Sequence, residues 1–315
     1  MNAVNPAVNA ALKPWLGQLN QLLAEQKAEG IEATPAMARD SLTGLTAAFV
    51  TRHPDIARVA DMTIEAEGRS IPVRLYDPTP EHFKPVCLFF HGGGHMAGSI
   101  DVYDPIARKL AHYSGQLVVS VDYRLAPESP YPDGLDDCLA VTQALWRALD
   151  EQGCLTTRVL SIVGDSGGGT FAATVCARVA GDPSVGLARQ ILIYPSLDYT
   201  LSYPSIRING EGYLLDASRI RWYFNHYFQH HEDRRTASPL MAPIPENMPA
   251  TLVITAGFCP LRDEGIAYAD ALKAAGVTCE HHNFADMIHA YLNLENLVPN
   301  ACDNTYHLIA DFLAP

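Results

Sequence analysis

The chain has 315 residues, 48% hydrophobic and 18% charged, with a formal net charge of −13 at pH 7. These values suit a soluble, globular chain that buries a large core; the length, slightly above the usual single-core limit, suits one large domain with an added cap. The acidic balance argues against nucleic acid or an anionic membrane as partner, and no run approaches the roughly 18 apolar residues needed to span a bilayer.

Seven cysteines are scattered singly at Cys87, Cys138, Cys154, Cys176, Cys259, Cys279 and Cys302. Their odd number and irregular spacing form neither a disulfide framework nor a zinc-ligand pattern, which implies a reduced, cytoplasmic setting. The N-terminus shows no positively charged segment leading into an apolar core, so no secretory leader is expected.

In chain order, residues 7–28 and 35–52 read as two helices, with Leu12, Trp15, Leu16, Leu19, Leu22 and Leu23 recurring at helical spacing. Residues 61–76 alternate around 67–70 as a β-hairpin does. Strands are then expected at 86–90, 116–122, 159–163, 190–194, 251–256 and 278–284, separated by helices, which is the rhythm of a mostly parallel sheet with helices on both faces. The strand at 86–90 runs into His91, Gly92, Gly93, Gly94 and His95, a glycine loop whose bare backbone can approach a ligand and stabilise an oxyanion. His91 and His95 superficially suggest metal ligands, but three glycines form no helix to align them, and His91 is read as ordering the loop; no metal and no cofactor are expected.

The strand at 159–163 ends in Gly164, Asp165, Ser166, Gly167 and Gly168, followed by small helical residues. This is the pattern of a nucleophile elbow, a strained turn that exposes a serine hydroxyl at the start of a helix. Between the strands at 190–194 and 251–256 lies a long insertion carrying eight aromatic residues from Tyr199 to Phe228. Excursions of that kind serve as lids or pocket walls. Of twelve histidines, His289 follows the last expected strand through a loop at 285–288 and is read as entering a helix, which is where a general base belongs; His281 and His282 lie on the strand, and His226, His230 and His231 on the insertion.

Four segments, His91-Gly-Gly-Gly94, Asp122-Tyr-Arg-Leu-Ala-Pro-Glu128, Gly164-Asp-Ser-Gly-Gly168 and Pro260-Leu-Arg-Asp-Glu-Gly265, stand in an order and spacing that resemble the bacterial hormone-sensitive-lipase-like esterases, the acetyl esterase and carboxylesterase branch of the α/β-hydrolases. The resemblance implies an α/β-hydrolase fold with a helical cap, residues 1–55 forming part of the cap, 56–315 the catalytic domain, and about 198–240 a second cap insertion. It implies hydrolysis of short-chain acyl esters through an acyl-enzyme, with Ser166 as nucleophile, His289 as base, and the amides of Gly93, Gly94 and Gly167 as oxyanion hole. The implied partner is a small-molecule ester, and a homodimer is compatible with the family. A catalytically weakened binding protein on the same fold, or an amidase or arylformamidase, is the alternative.

The triad acid departs from the family pattern. Relatives carry an aspartate immediately before the Pro-Leu-x-Asp-Glu segment, and this chain has Cys259 there. A thiol is a weak hydrogen-bond acceptor and mostly neutral at pH 7. Asp263, one helical turn later, is the favoured substitute, with Glu264, Asp198 or no acid at all left open.

Overall fold

The computed structural model of the protein describes residues 7–66 and 68–314, and its framework is one eight-stranded sheet. In chain order the strands are β1 (Arg58–Ala66), β2 (Arg69–Asp77), β3 (Lys84–Phe90), β4 (Leu117–Val121), β5 (Thr156–Asp165), β6 (Leu187–Ile193), β7 (Ala250–Phe258) and β8 (Cys279–Ile288). They lie side by side as β1-β2-β4-β3-β5-β6-β7-β8. β1 pairs antiparallel with β2, and β2 antiparallel with β4, while every pairing from β4 onward is parallel. All five residues of β4 and the last five of β3 are buried. Strands covered on both faces read as unbroken apolar runs, which is why these segments were visible without periodicity.

The helices are α1 (Lys13–Ala28), α2 (Pro35–Phe49), α3 (Ile100–Ser114), α4 (Asp133–Glu151), α5 (Gly167–Val179), α6 (Ser205–Ile208), α7 (Ala217–Tyr227), α8 (Arg234–Ala237), α9 (Arg262–Ala274) and α10 (Pro299–Leu313). α3, α4, α5 and α9 are the crossovers that parallel strands require. α3 shows how the sequence sets its ends: the Ser99 hydroxyl accepts from Val102 N at 3.2 Å, and Gly115 closes the helix in the left-handed region at φ 66°. α6, α7 and α8 all fall in the aromatic insertion, where the chain leaves the sheet after β6 and returns at β7.

Several boundaries differ from the sequence expectation. The first helix begins at Lys13 rather than at residue 7, because Asn9 turns the chain back: its side chain accepts from Ala11 N at 3.0 Å and donates to Asp286 Oδ2 at 2.7 Å. α2 ends at Phe49 rather than 52. The hairpin is longer than expected, 58–77, and Glu67 at its turn lies outside the described residues. Residues 285–288, expected as a loop, continue β8, since residues 285–287 of β8 bulge opposite Gly257 of β7 and Phe258 pairs with Ile288. No helix begins at His289: Ala290 takes φ 57°, a short 3-10 turn follows at Tyr291–Leu294, and α10 starts only at Pro299.

Candidate functional site

Ser166 stands where β5 ends and α5 begins, with φ 53° and ψ −119°. A non-glycine residue in that region costs about 1–3 kcal/mol and persists only where its surroundings over-determine it. Here its N–H donates to Ile193 O at 2.9 Å, and its carbonyl accepts from Gly169 N and Ser196 N, each at 3.0 Å. The turn also needs a residue without a side chain at 168, because a Cβ there would lie 2.0 Å from Phe90 O. β3 and α5 therefore approach closely enough to bring the glycine loop beside the serine.

His289 follows β8 at the same edge of the sheet, and its Nε2 lies 2.8 Å from Ser166 Oγ. The imidazole is 5% exposed and meets the ring of Tyr194 at 4.9 Å in a T-shaped contact. Burial lowers its pKa to about 3, so it is a neutral imidazole at pH 7. The serine and the histidine expected from the sequence are thus brought together over 123 positions of chain.

The third position differs from the favoured expectation. His289 Nδ1 lies 3.1 Å from Cys259 Sγ, and Leu261 N donates to the same sulfur at 3.3 Å. Burial pushes the thiol well above its ordinary range, so it is uncharged. The Asp263 carboxylate instead accepts from Ser205 N at 2.9 Å and from Arg262 Nε at 2.8 Å. Asp263 could replace the acid only if it shared one helix face with Cys259. α9 begins at Arg262, so Cys259 lies before the helix and shares no face with it. The other acids are also committed elsewhere. Glu264 Oε1 accepts from Leu197 N and Asp198 N at 2.7 and 3.3 Å. Asp198 accepts from the amides of Thr200 and Ser202 at 2.8 and 3.0 Å, and these bonds, with those from the two hydroxyls, outweigh burial and hold its carboxyl below the usual range.

The glycine loop lies against this pair. Gly93 adopts φ +123°, and a Cβ on it would fall 2.0 Å from Ala97 O. The Cβ position of Gly167 lies 3.3 Å from Gly94 N, so the amide of Gly94 stands beside the residue that follows the serine. His91 Nδ1 is 2.7 Å from Gly92 O, with its ring stacked on Tyr123 at 4.3 Å. His95 Nε2 meets Tyr199 OH at 2.9 Å, with its ring stacked on Tyr227 at 4.2 Å. The two histidines occupy separate aromatic slots, and among the described residues no group of three or more His, Cys, Asp or Glu side chains is placed to hold a metal ion.

Three features were not legible in the sequence. Asp165 is buried below the loop, with Tyr103 OH donating to Oδ2 at 3.3 Å, and burial raises its carboxyl to about 7. Arg39 of α2 donates from Nε to Met96 O at 2.9 Å and from Nη2 to Ala126 O at 3.0 Å, so α2 is tied to the residue that follows the glycine loop and to the 122–128 segment. Tyr223 of α7 stands over Gly94, where an added Cβ would meet its ring at 2.8 Å. A pattern reading pairs residues near in sequence, and Arg39 and Met96 are 57 positions apart.

The model of a family described as "alpha/beta hydrolase fold" matches residues 87–293. Esterase LipI of Mycobacterium tuberculosis is 36% identical over 260 residues, 80% of this chain and 80% of the relative. Ethyl acetate hydrolase of Pseudomonas putida is 31% identical over 308 residues, 92% and 95% of the two chains. Among solved structures, a hyperthermophilic esterase from the archaeon Pyrobaculum calidifontis superposes with TM-score 0.86 at 29% identity over 98% of each chain. A thermostable esterase from Pseudomonas putida gives 0.86 at 31%, over 99% of this chain and 98% of the other. With the strand order, the elbow and the glycine loop in place, the match over residues 87–293 and relatives above 30% identity, the chain belongs to the α/β-hydrolase family, in its hormone-sensitive-lipase-like esterase branch.

Proposed function

We propose that Ser166 and His289 hydrolyse short-chain carboxylic esters through an acyl-enzyme. The single observation that carries this reading is the 2.8 Å contact of Ser166 Oγ with Nε2 of a neutral imidazole, at the apex of a strained turn. Nε2 takes the hydroxyl proton as Oγ bonds to the ester carbon, and the carbonyl π pair moves onto oxygen. The amides of Gly94 and Gly167, adjacent in space, and that of Gly93 are the donors for that oxyanion. Collapse breaks the bond to the alcohol oxygen, which takes the proton from Nε2. Water then repeats the sequence on the acyl-serine and releases the acid.

Residues 1–55 and about 198–240 act together as the cap in this reading. α1 is joined to the second insertion where Asn20 Nδ2 donates to Gly212 O at 3.1 Å. Tyr223 against Gly94, and Tyr213 packed on Phe258 at 5.0 Å, bring two rings of the insertion onto the glycine loop and the end of β7. Such a roof supports a small acyl group.

Ser166→Ala tests the assignment. Turnover of p-nitrophenyl acetate is expected to fall by about 10⁴-fold or more, as when a serine protease loses its nucleophile, with the melting temperature little changed. Retention of more than a few per cent of the wild-type rate overturns it.

A further inference from the structure

We propose that Cys259 is the positioning partner of His289, an uncharged third member of the array, and that the enzyme is consequently matched to esters whose alcohol part leaves as a stabilised anion, namely aryl and enol esters. This rests on the Ser166–His289 reading above. The geometry is that of a relay: Oγ to Nε2 at 2.8 Å, then Nδ1 to Sγ at 3.1 Å, with Leu261 N–H donating to the same sulfur at 3.3 Å. Cys259 is fully buried, and the three acids nearest in sequence logic hold other partners.

The chemistry follows from what a thiol can and cannot do. A carboxylate only accepts, so it fixes the proton on Nδ1 and leaves Nε2 free to take the serine proton. A thiol can accept from Nδ1–H, giving that productive tautomer, or donate S–H to Nδ1, which puts the imidazole proton on Nε2 and idles the base. The amide of Leu261 already uses one acceptor direction of the sulfur. The productive state is therefore populated but not enforced.

The second consequence is electrostatic. When Nε2 takes the serine proton, the imidazolium is buried against a neutral sulfur rather than an anion. Burial already holds the imidazole far below its ordinary basicity and keeps the thiol protonated, so a thiolate–imidazolium pair does not relieve this. An alkyl ester must pass through that imidazolium and receive its proton before the alkoxide departs. A phenolate or enolate departs without a proton, and its more electrophilic carbonyl is attacked with less proton transfer. The missing charge thus slows alkyl esters more than aryl esters at acylation. Once the acyl-serine has formed, deacylation is the same for both.

The site would accept a charge. Cys259 lies just before the N-terminus of α9, takes the Leu261 amide and lies near Arg262, all of which favour an anion against burial and the nearby Glu264 and Asp263, which oppose one. Cys259→Asp is accordingly the decisive variant, assayed on phenyl acetate and ethyl acetate, which share one acyl-enzyme. The expected result is a rise in kcat/KM for ethyl acetate of about tenfold or more, within the roughly 10⁴-fold span that triad acids command, and a smaller rise for phenyl acetate. The acid limb of the pH profile is expected to move upward, because a carboxylate raises the imidazole pKa. Asp165 precedes Ser166 in both proteins, so the difference between the two profiles isolates His289. Cys259→Ala is expected to lose about tenfold in kcat/KM on phenyl acetate with KM steady, and Cys259→Ser to recover most of it. An ethyl-to-phenyl ratio in Cys259→Asp within about twofold of wild type overturns the proposal. If that variant does not fold, Cys259→Ala decides: an unchanged rate overturns it. Activity surviving in Ser166→Ala would instead overturn the underlying reading.

Discussion

Two buried titratable groups on either side of Ser166 respond to pH in opposite senses. His289 is held to about 3 and stays neutral through the physiological range, whereas burial raises the Asp165 carboxyl from 3.8 to about 7. The folded chain therefore keeps a proton on Asp165 that the unfolded chain releases near pH 4. Stability contributed by that proton is complete below about pH 4 and is lost as pH rises toward 7, at up to about 1.4 kcal/mol per pH unit. Asp165→Asn keeps an acceptor for Tyr103 and does not ionise. The variant is expected to show a smaller fall in melting temperature than wild type between pH 5 and pH 8. Equal falls in the two proteins, measured by calorimetry, would show that Asp165 does not carry this proton. At this scale the sequence disclosed residue identities better than their pairings. Ser166, His289 and the glycine loop sit in recognisable local patterns. The Cys259 contact depends on where α9 starts, and Asp165 depends on the packing of β5 beneath residue 92, where an added Cβ would lie 2.5 Å from Asp165 Oδ2.

Among the secondary-structure elements, α2 has the clearest consequence for the site. Arg39 spans from the helix to two carbonyls, those of Met96 and Ala126, and its remaining contacts are with Glu128. The Glu128 side chain is 62% exposed, so the ion pair itself contributes little. The carbonyl bonds fix Met96, immediately after the glycine loop, and Ala126, whose N–H donates to His95 O at 2.9 Å, and small displacements of oxyanion donors lower turnover steeply. Arg39→Ala is expected to reduce kcat by roughly tenfold to a hundredfold, with Glu128→Gln within about threefold of wild type. Comparable losses in both variants would place the effect in the ion pair instead. The strands were the legible elements, since burial on both faces leaves an apolar run. The end of β8 was not, because residues 285–288 pair through a bulge and break alternation there.

Across the whole molecule, the doubly wound sheet disposes of its sulfur by burial. Cys87 lies on β3, Cys138 on α4, Cys176 on α5 and Cys302 on α10; with Cys154 and Cys259 they are buried, leaving Cys279 at the start of β8 half-buried. Scattered single cysteines suggested free thiols from the sequence, but only the packing shows how few of them face water. Burial pushes Cys87 and Cys176 up to about 12, and Cys279 up to about 11. Because the thiolate is the reactive form, access and ionisation oppose modification together. Titration of the folded protein at pH 8 with an aromatic disulfide reagent is expected to release at most one equivalent quickly, from Cys279, while esterase activity persists. All seven thiols are expected to react once the chain is unfolded in guanidinium. The outcome bears directly on the relay, since Cys259 can serve as a neutral partner of His289 only where reagents do not reach it. Peptide mapping that finds Cys259 labelled within minutes in the folded enzyme, with parallel loss of activity, would mean that the sheet edge opens and that the sulfur is not held in the closed array described by the geometry.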